Sequence, residues 1–212
     1  MPHRRPGAAD GMLKVGLTGG LASGKSLVAN ALAELGCHLL HADAVGHEVL
    51  QPGGQAFGPV VAAFGKSVLN EDGTIDRRAL AARVFSEPEL LRVLNSLVHP
   101  AVFRREEEFF RTVASADPHG IAVVEAAILV ETGSYRKFDR LVVTVCDRET
   151  QIERAMKRDG LTRAEVEARL NRQLPADELR RVADHVIDTS GSKENTTAQV
   201  HELYRALRSL SE

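Results

Sequence analysis

Gly19, Gly24, Lys25 and Ser26 stand at the spacing GxxxxGK[ST] within "GLTGGLASGKSLVAN" (16–30). This combination suits a bound polyphosphate. Glycines let the backbone curl so that N–H groups over Gly19, Gly20, Leu21, Ala22, Ser23, Gly24, Lys25, Ser26 and Leu27 point inward, and the N-terminus of the following helix adds positive potential. Lys25 has the reach to meet the terminal phosphates, and Ser26 offers a hard oxygen to Mg²⁺. The bland alternative is a glycine-rich turn with a surface lysine.

A phosphate loop supplies a donor and leaves the acceptor open. Asp43 ends the second predicted strand, and in a doubly wound sheet the carboxyl ends of the strands border the ligand crevice. A carboxylate there can orient an alcohol and take its proton; equally, Asp43 can cap a helix beginning at Ala44. His41 and His47 read as polar boundary residues. His99 precedes Pro100, where a break between two helices would leave its side chain exposed to a substrate. Glu125, at the end of the third strand, stands where a carboxylate can hold a Mg²⁺ shell, and Asp147 is its rival or a helix cap. Arg154 and Arg158 share a helix face, as do Arg169 and Gln173. An arginine-rich mobile segment of this kind can close over phosphate, neutralise charge and exclude water. Arg163, Arg172, Arg180 and Arg181 read as solvated surface.

The elements that must carry these residues alternate. "LKVGLT" (13–18) reads as a buried strand, and Leu27, Val28, Ala31, Leu32 and Leu35 recur at helical spacing until Gly36. "CHLLHAD" (37–43), "IAVVEAAIL" (121–129), "RLVVTVC" (140–146) and "DHVIDT" (184–189) supply four more strands. The expected fold is therefore α/β, a parallel sheet flanked by helices of the phosphate-loop NTPase type. The core takes 12–50, 119–147 and 182–212, with a helical insertion over 51–118 and an arginine-rich lid over 148–181. Capping boxes are expected at Ser86 with Glu89 and at Thr162 with Glu165. A closing helix spans 193–210.

Composition narrows the class. The chain has 212 residues, 43% hydrophobic and 26% charged, with net charge −2, which leaves no electrostatic footprint for nucleic acid. Cys37 and Cys146 lie in no metal or disulfide pattern, so a reducing cytoplasm is expected. The longest apolar stretch, 121–130, is interrupted by Glu125 and is about half of what a membrane span needs. Residues 1–11 lack an apolar run or a periodic pattern and are expected to form a disordered extension.

Taken together, the loop, "HAD" (41–43), "LNSLVHP" (94–100), "ETQIERAMKRDGLT" (149–162), "RLNRQ" (169–173) and "ADHVIDTSGS" (183–192) resemble the dephospho-CoA kinase family over nearly everything from residue 12 onward. The resemblance implies ATP- and Mg²⁺-dependent phosphorylation of the ribose 3′-hydroxyl of dephospho-coenzyme A. It implies Asp43 as base, Lys25 and Ser26 on the phosphates and metal, and Glu125 in the metal shell. His99, Pro100 and Glu131 would sit toward the acceptor, with Arg154, Arg158 and Arg169 as lid cations. A monomer or small homo-oligomer is expected, without nucleic-acid or membrane partners. Two departures stand out. "EAAILVE" puts Glu125 where the family has Asp and Ala127 where it has Pro, moving a carboxylate by one methylene. Thr189 stands where the family often has Asn, so adenine recognition is expected to rest on backbone contacts. Two other readings stay open: a different small-molecule kinase built on the same loop, or a nucleotide sensor without turnover.

Overall fold

The computed structural model describes residues 11–211. The extension expected over 1–11 lies, Gly11 aside, outside the described residues.

Strand β1 (Leu13–Gly19) is buried almost throughout, as its unbroken apolar run requires of a strand covered on both faces. It pairs in parallel with β3 (Ile121–Glu125) on one side and β4 (Arg140–Val145) on the other, and β4 pairs in parallel with β5 (His185–Asp188). With β2 (His38–His41) at the far edge the order is β2-β3-β1-β4-β5. Register brings the site's parts to one edge: Leu17 lies opposite Glu125 and Gly19 opposite Thr144. The expected strand 121–129 stops at Glu125, and its remainder turns.

Parallel neighbours need crossover connections, and helices supply them. Helices α1 (Lys25–Glu34) and α9 (Lys193–Ser211) bury Val28, Ala29, Leu32, Val200, Leu203 and Leu207 against Leu13, Val15, Leu17, Val123 and Val142. This is the apolar face predicted by their 3.6-residue periodicity.

The chain divides into two compact units, one holding the residues up to Leu40 and from Phe110 onward, the other His41–Phe109. The second unit begins and ends earlier than the 51–118 span drawn from composition. It contains α2 (Ala42–Glu48), α3 (Phe57–Phe64), α4 (Arg77–Ser86) and most of α5 (Pro88–Ala116). Val45, Val49, Val60, Phe64, Leu80 and Ala101 form buried parts of it. Asp76 caps α4 by accepting from the N–H groups of Arg78 at 2.9 Å and Ala79 at 3.1 Å.

Two local expectations fail here. Ser86 belongs to the last turn of α4, so it cannot open the next helix; Glu89 instead pairs with Arg92 at 2.7 Å. Glu87 between them is extended (φ −138°, ψ 106°), which is what a following proline imposes. Nor does Pro100 break the chain into two helices: α5 runs through it. The ring removes only the N–H that would have met the carbonyl of Ser96.

The arginine-rich segment folds as α6 (Arg148–Asp159), α7 (Arg163–Leu170) and α8 (Ala176–Val182). The capping box expected at Thr162 is formed, with Glu165 Oε2 accepting from Thr162 N–H at 2.8 Å. Asp147 occupies the N-cap position of α6, but its side chain makes no capping bond.

Candidate active site

Gly24 starts α1 with φ 82°, and a Cβ there would lie 2.9 Å from Thr189 Cγ2. Both facts demand glycine. From here the loop is braced underneath by hydroxyls. Ser23, 1% exposed, shares a 2.7 Å hydrogen bond with Thr144 Oγ1, and its carbonyl accepts from Thr189 Oγ1 at 3.0 Å. Lys25 Nζ donates to the carbonyls of Gly19 at 2.8 Å and Gly20 at 3.0 Å, which holds the ammonium over the loop that it closes. Ser26, Leu27 and the N-terminus of α1 follow, with Ser26 exposed.

Ser26 Oγ donates to Glu125 Oε1 at 3.1 Å. The two residues singled out for a metal are thus brought together, although 99 positions separate them. Both are oxygen donors, the chemistry that Mg²⁺ prefers. A magnesium ion on a phosphate substrate takes only one or two protein ligands. Ser26, Glu125 and substrate oxygens together fit that donor set.

In the second unit, Asp43 lies inside the first turn of α2, whose N-cap is His41. The helix therefore begins two residues before Ala44, and Asp43 is not its cap. Its carboxylate is exposed and takes no hydrogen bond or ion pair among the described residues. His99 is half-buried in α5, its ring 6.0 Å from that of Phe103, and Pro100 is exposed one position on. Glu131, in the first unit, is exposed in the turn after β3.

The arginines separate. Arg154 turns inward, donating to Thr189 O at 2.8 Å, Thr189 Oγ1 at 3.1 Å and Cys146 Sγ at 3.4 Å. Arg158 forms a two-pronged pair with its neighbour Asp159, at 2.7 and 2.9 Å. That hydrogen bonding holds the Asp159 carboxyl below its ordinary value, with Arg169 adding a smaller attraction. Arg169 is exposed at the end of α7. Gln173 does not share its helix face, because α7 stops at Leu170. Instead Gln173 Oε1 accepts from Leu21 N–H at 2.8 Å, while Gln151 Nε2 on α6 donates to Leu21 O at 2.8 Å. Arg163 pairs with Glu149 and Glu167 at the surface, and its hydrogen bonds lower the Glu149 carboxyl.

Thr189, which stands where the family often has Asn, is 1% exposed, with its hydroxyl occupied by Ser23, Val145 and Arg154. Gln151 and Thr144 escaped the sequence reading, which names Gln173 only for a helix face shared with Arg169. Two glutamines on a charged segment look like solvent-facing residues. Thr144 carries one signal, a hydroxyl inside the apolar run that follows Arg140 in "RLVVTVC".

A parallel sheet that delivers a GxxxxGKS loop to a helix N-terminus, with a carboxylate one strand away, defines the class of phosphate-loop NTPases. The profile of the dephospho-CoA kinase family matches residues 13–195. The chain belongs to the dephospho-CoA kinase family. It is 42% identical over 197 residues to the dephospho-CoA kinase of Leifsonia xyli, covering 93% of this chain and 100% of that protein. The crystal structure of TT1252 from Thermus thermophilus superposes with a TM-score of 0.82 at 31% identity, covering 92% and 97% of the two chains. A dephospho-CoA kinase structure from Campylobacter jejuni, TM-score 0.70 at 23% identity over 93% and 98%, shares the fold. The family makes the chain a phosphotransferase with ATP as phosphate donor. Among the described residues no helix is long and apolar enough to cross a membrane.

Proposed function

We propose that this chain transfers the γ-phosphoryl group of ATP to the ribose 3′-hydroxyl of dephospho-coenzyme A, releasing ADP and coenzyme A, the last step of coenzyme A synthesis. The observation that carries this reading is a phosphate loop with Lys25 held over it, in a chain whose family match runs through residues 13–195.

In the transfer, the bond between Pγ and the ADP oxygen breaks as a bond from the 3′-oxygen to Pγ forms. The 3′-hydroxyl proton passes to the Asp43 carboxylate, whose exposure suits that role. Because the transition state is loose, positioning and charge neutralisation supply most of the acceleration. The backbone of Gly19–Leu27 cradles the phosphates and Lys25 grips the terminal ones. Ser26 and Glu125 would hold Mg²⁺, which supplies neutralisation of phosphate charge when bound. Arg158 and Arg169 act as lid cations, and Arg154 works by fastening α6 to Thr189 and so to Ser23. His99, Pro100 and Glu131 serve the acceptor. A reducing cytoplasm suits two cysteines that stand unpaired, and the enzyme acts there as a monomer or small homo-oligomer without nucleic-acid or membrane partners.

The test is ADP release by purified protein with Mg-ATP and, separately, dephospho-CoA, adenosine, AMP and pantetheine. Dephospho-CoA is expected to drive turnover far above the other three. Equal rates with adenosine or AMP would assign the chain to a different small-molecule kinase, and binding of ATP without ADP release in any arm would make it a sensor.

A further inference from the structure

Leu21 sits in the phosphate loop, and both of its peptide links are held by side chains of the arginine-rich segment. Gln173 takes its N–H and Gln151 its carbonyl, each at 2.8 Å. The phosphate chemistry described above uses neither glutamine. Both amide heads also lie beside Gly20, where a Cβ would be 3.0 Å from Gln151 Nε2 and 3.4 Å from Gln173 Oε1.

A trans peptide points its N–H and its C=O in opposite directions within one rigid plane. Held at Leu21 N–H by Gln173, the Gly20–Leu21 peptide turns the Gly20 carbonyl the other way, and there it accepts from Lys25 Nζ at 3.0 Å. Held at its carbonyl by Gln151, the Leu21–Ala22 peptide sends the Ala22 N–H in the direction opposite to that amide. Ala22 is the sole non-glycine with positive φ among the described residues, at 53°. A residue with a Cβ keeps that conformation only where its surroundings over-determine it. The surroundings are present: Leu21 and Ala22 pack on a cluster of Ile152, Ala155, Val166 and Leu170 from α6 and α7.

We propose that Gln151 and Gln173 are positioning residues that pre-form the nucleotide site, Gln173 by setting the Gly20 carbonyl that holds Lys25, Gln151 by setting the Ala22 peptide. The inference rests on the loop being the ATP site and is independent of the acceptor's identity.

The experiment is calorimetric titration of Mg-ATP into the full chain and into Gln151→Met, Gln173→Met, Lys25→Ala and the two doubles with Lys25→Ala. Methionine keeps the length and apolar packing of glutamine while lacking its donor and its strong acceptor. Each single glutamine variant is expected to weaken ATP binding roughly tenfold, the scale of one buried hydrogen bond left unmade. Gln173→Met should add less than about twofold once Lys25 is gone, because its route is already cut, whereas Gln151→Met keeps its roughly tenfold effect. A purely structural role would move both alike in both backgrounds. An equal Gln173→Met effect with and without Lys25, or wild-type affinity in either single variant, overturns the proposal. Wild-type protein that does not bind Mg-ATP overturns the reading of the loop and the proposal with it. ATP binding without phosphorylation of dephospho-CoA overturns only the acceptor assignment.

Discussion

Thr189→Val tests the brace beneath the phosphate loop at a single oxygen. Valine fills nearly the same space, so the change removes hydrogen bonds without opening a cavity. The hydroxyl carries one proton, which goes to Ser23 O at 3.0 Å or to Val145 O at 3.3 Å, and it accepts from Arg154 Nη1 at 3.1 Å. Losing a neutral bond costs about 0.5–1.5 kcal/mol and losing one to a charged group about 1.5–3 kcal/mol. Arg154 keeps its bond to the Thr189 carbonyl at 2.8 Å, so the sum belongs near the lower end, at about 2–3 kcal/mol. For a chain of this size each kcal/mol moves the melting temperature by about 2–4 °C, giving a fall of roughly 5–10 °C. Scanning calorimetry reads the fall. Because the Ser23 carbonyl loses a donor inside the loop, ATP affinity should weaken in parallel, roughly fivefold. A melting temperature within about 1 °C of wild type, with ATP affinity unchanged, would show that Thr189 does not brace the loop.

Asp43→Asn is expected to leave ATP affinity intact and lower kcat by roughly 10²-fold or more, the range of a positioned base; near-normal turnover in a steady-state assay would remove Asp43 from the chemistry. Burial is the main cause that pushes the His185 imidazole below its ordinary value, with Asp184 opposing it and Arg140 assisting. The unfolded chain therefore binds this proton more readily than the folded one. Stability from this residue is present above the ordinary histidine range and is lost as pH falls through the lowered folded value. Urea midpoints should rise between about pH 5 and pH 7, and His185→Gln should flatten that rise; an unaltered slope would contradict it. Thr18 Oγ1 is buried and has no hydrogen-bond partner among the described residues, so Thr18→Val should be neutral or stabilising by up to about 1 kcal/mol. A lowered urea midpoint would show that the hydroxyl has a role in the folded chain.

The phosphate loop was legible because its chemistry constrains glycine spacing itself, and the flanking strand and helix follow from local periodicity. Thr162 and Glu165 were legible for the same reason, since a capping box is closed within four consecutive residues. Ser86 and Glu89 carry an identical pattern, yet α4 extends through Ser86, and a pattern cannot say which of two adjoining helices claims a residue. Pro100 misled in the opposite direction, because a helix of α5's length can tolerate one missing N–H. For the site, Lys25 and Ser26 follow from the loop motif, and Asp43 and Glu125 from predicted strand ends; Glu125 does end β3, whereas β2 stops at His41 and Asp43 lies in the first turn of α2. The glutamine clamp was not legible. Gln151 and Gln173 lie 130 and 152 positions from Leu21, and nothing in their local sequence distinguishes an amide that meets a loop from one that meets water. Thr189 stands out in the sequence only as a departure from its family's pattern, and nothing local shows that its hydroxyl is buried against Ser23 and Arg154.

The central claim is the identity of the hydroxyl that receives the phosphate. Purified chain, Mg-ATP and dephospho-CoA should yield one equivalent of ADP per product, with a new ³¹P resonance coupled to the ribose H3′. Phosphate on any other hydroxyl, or ADP formed with inorganic phosphate and unaltered dephospho-CoA, would contradict it.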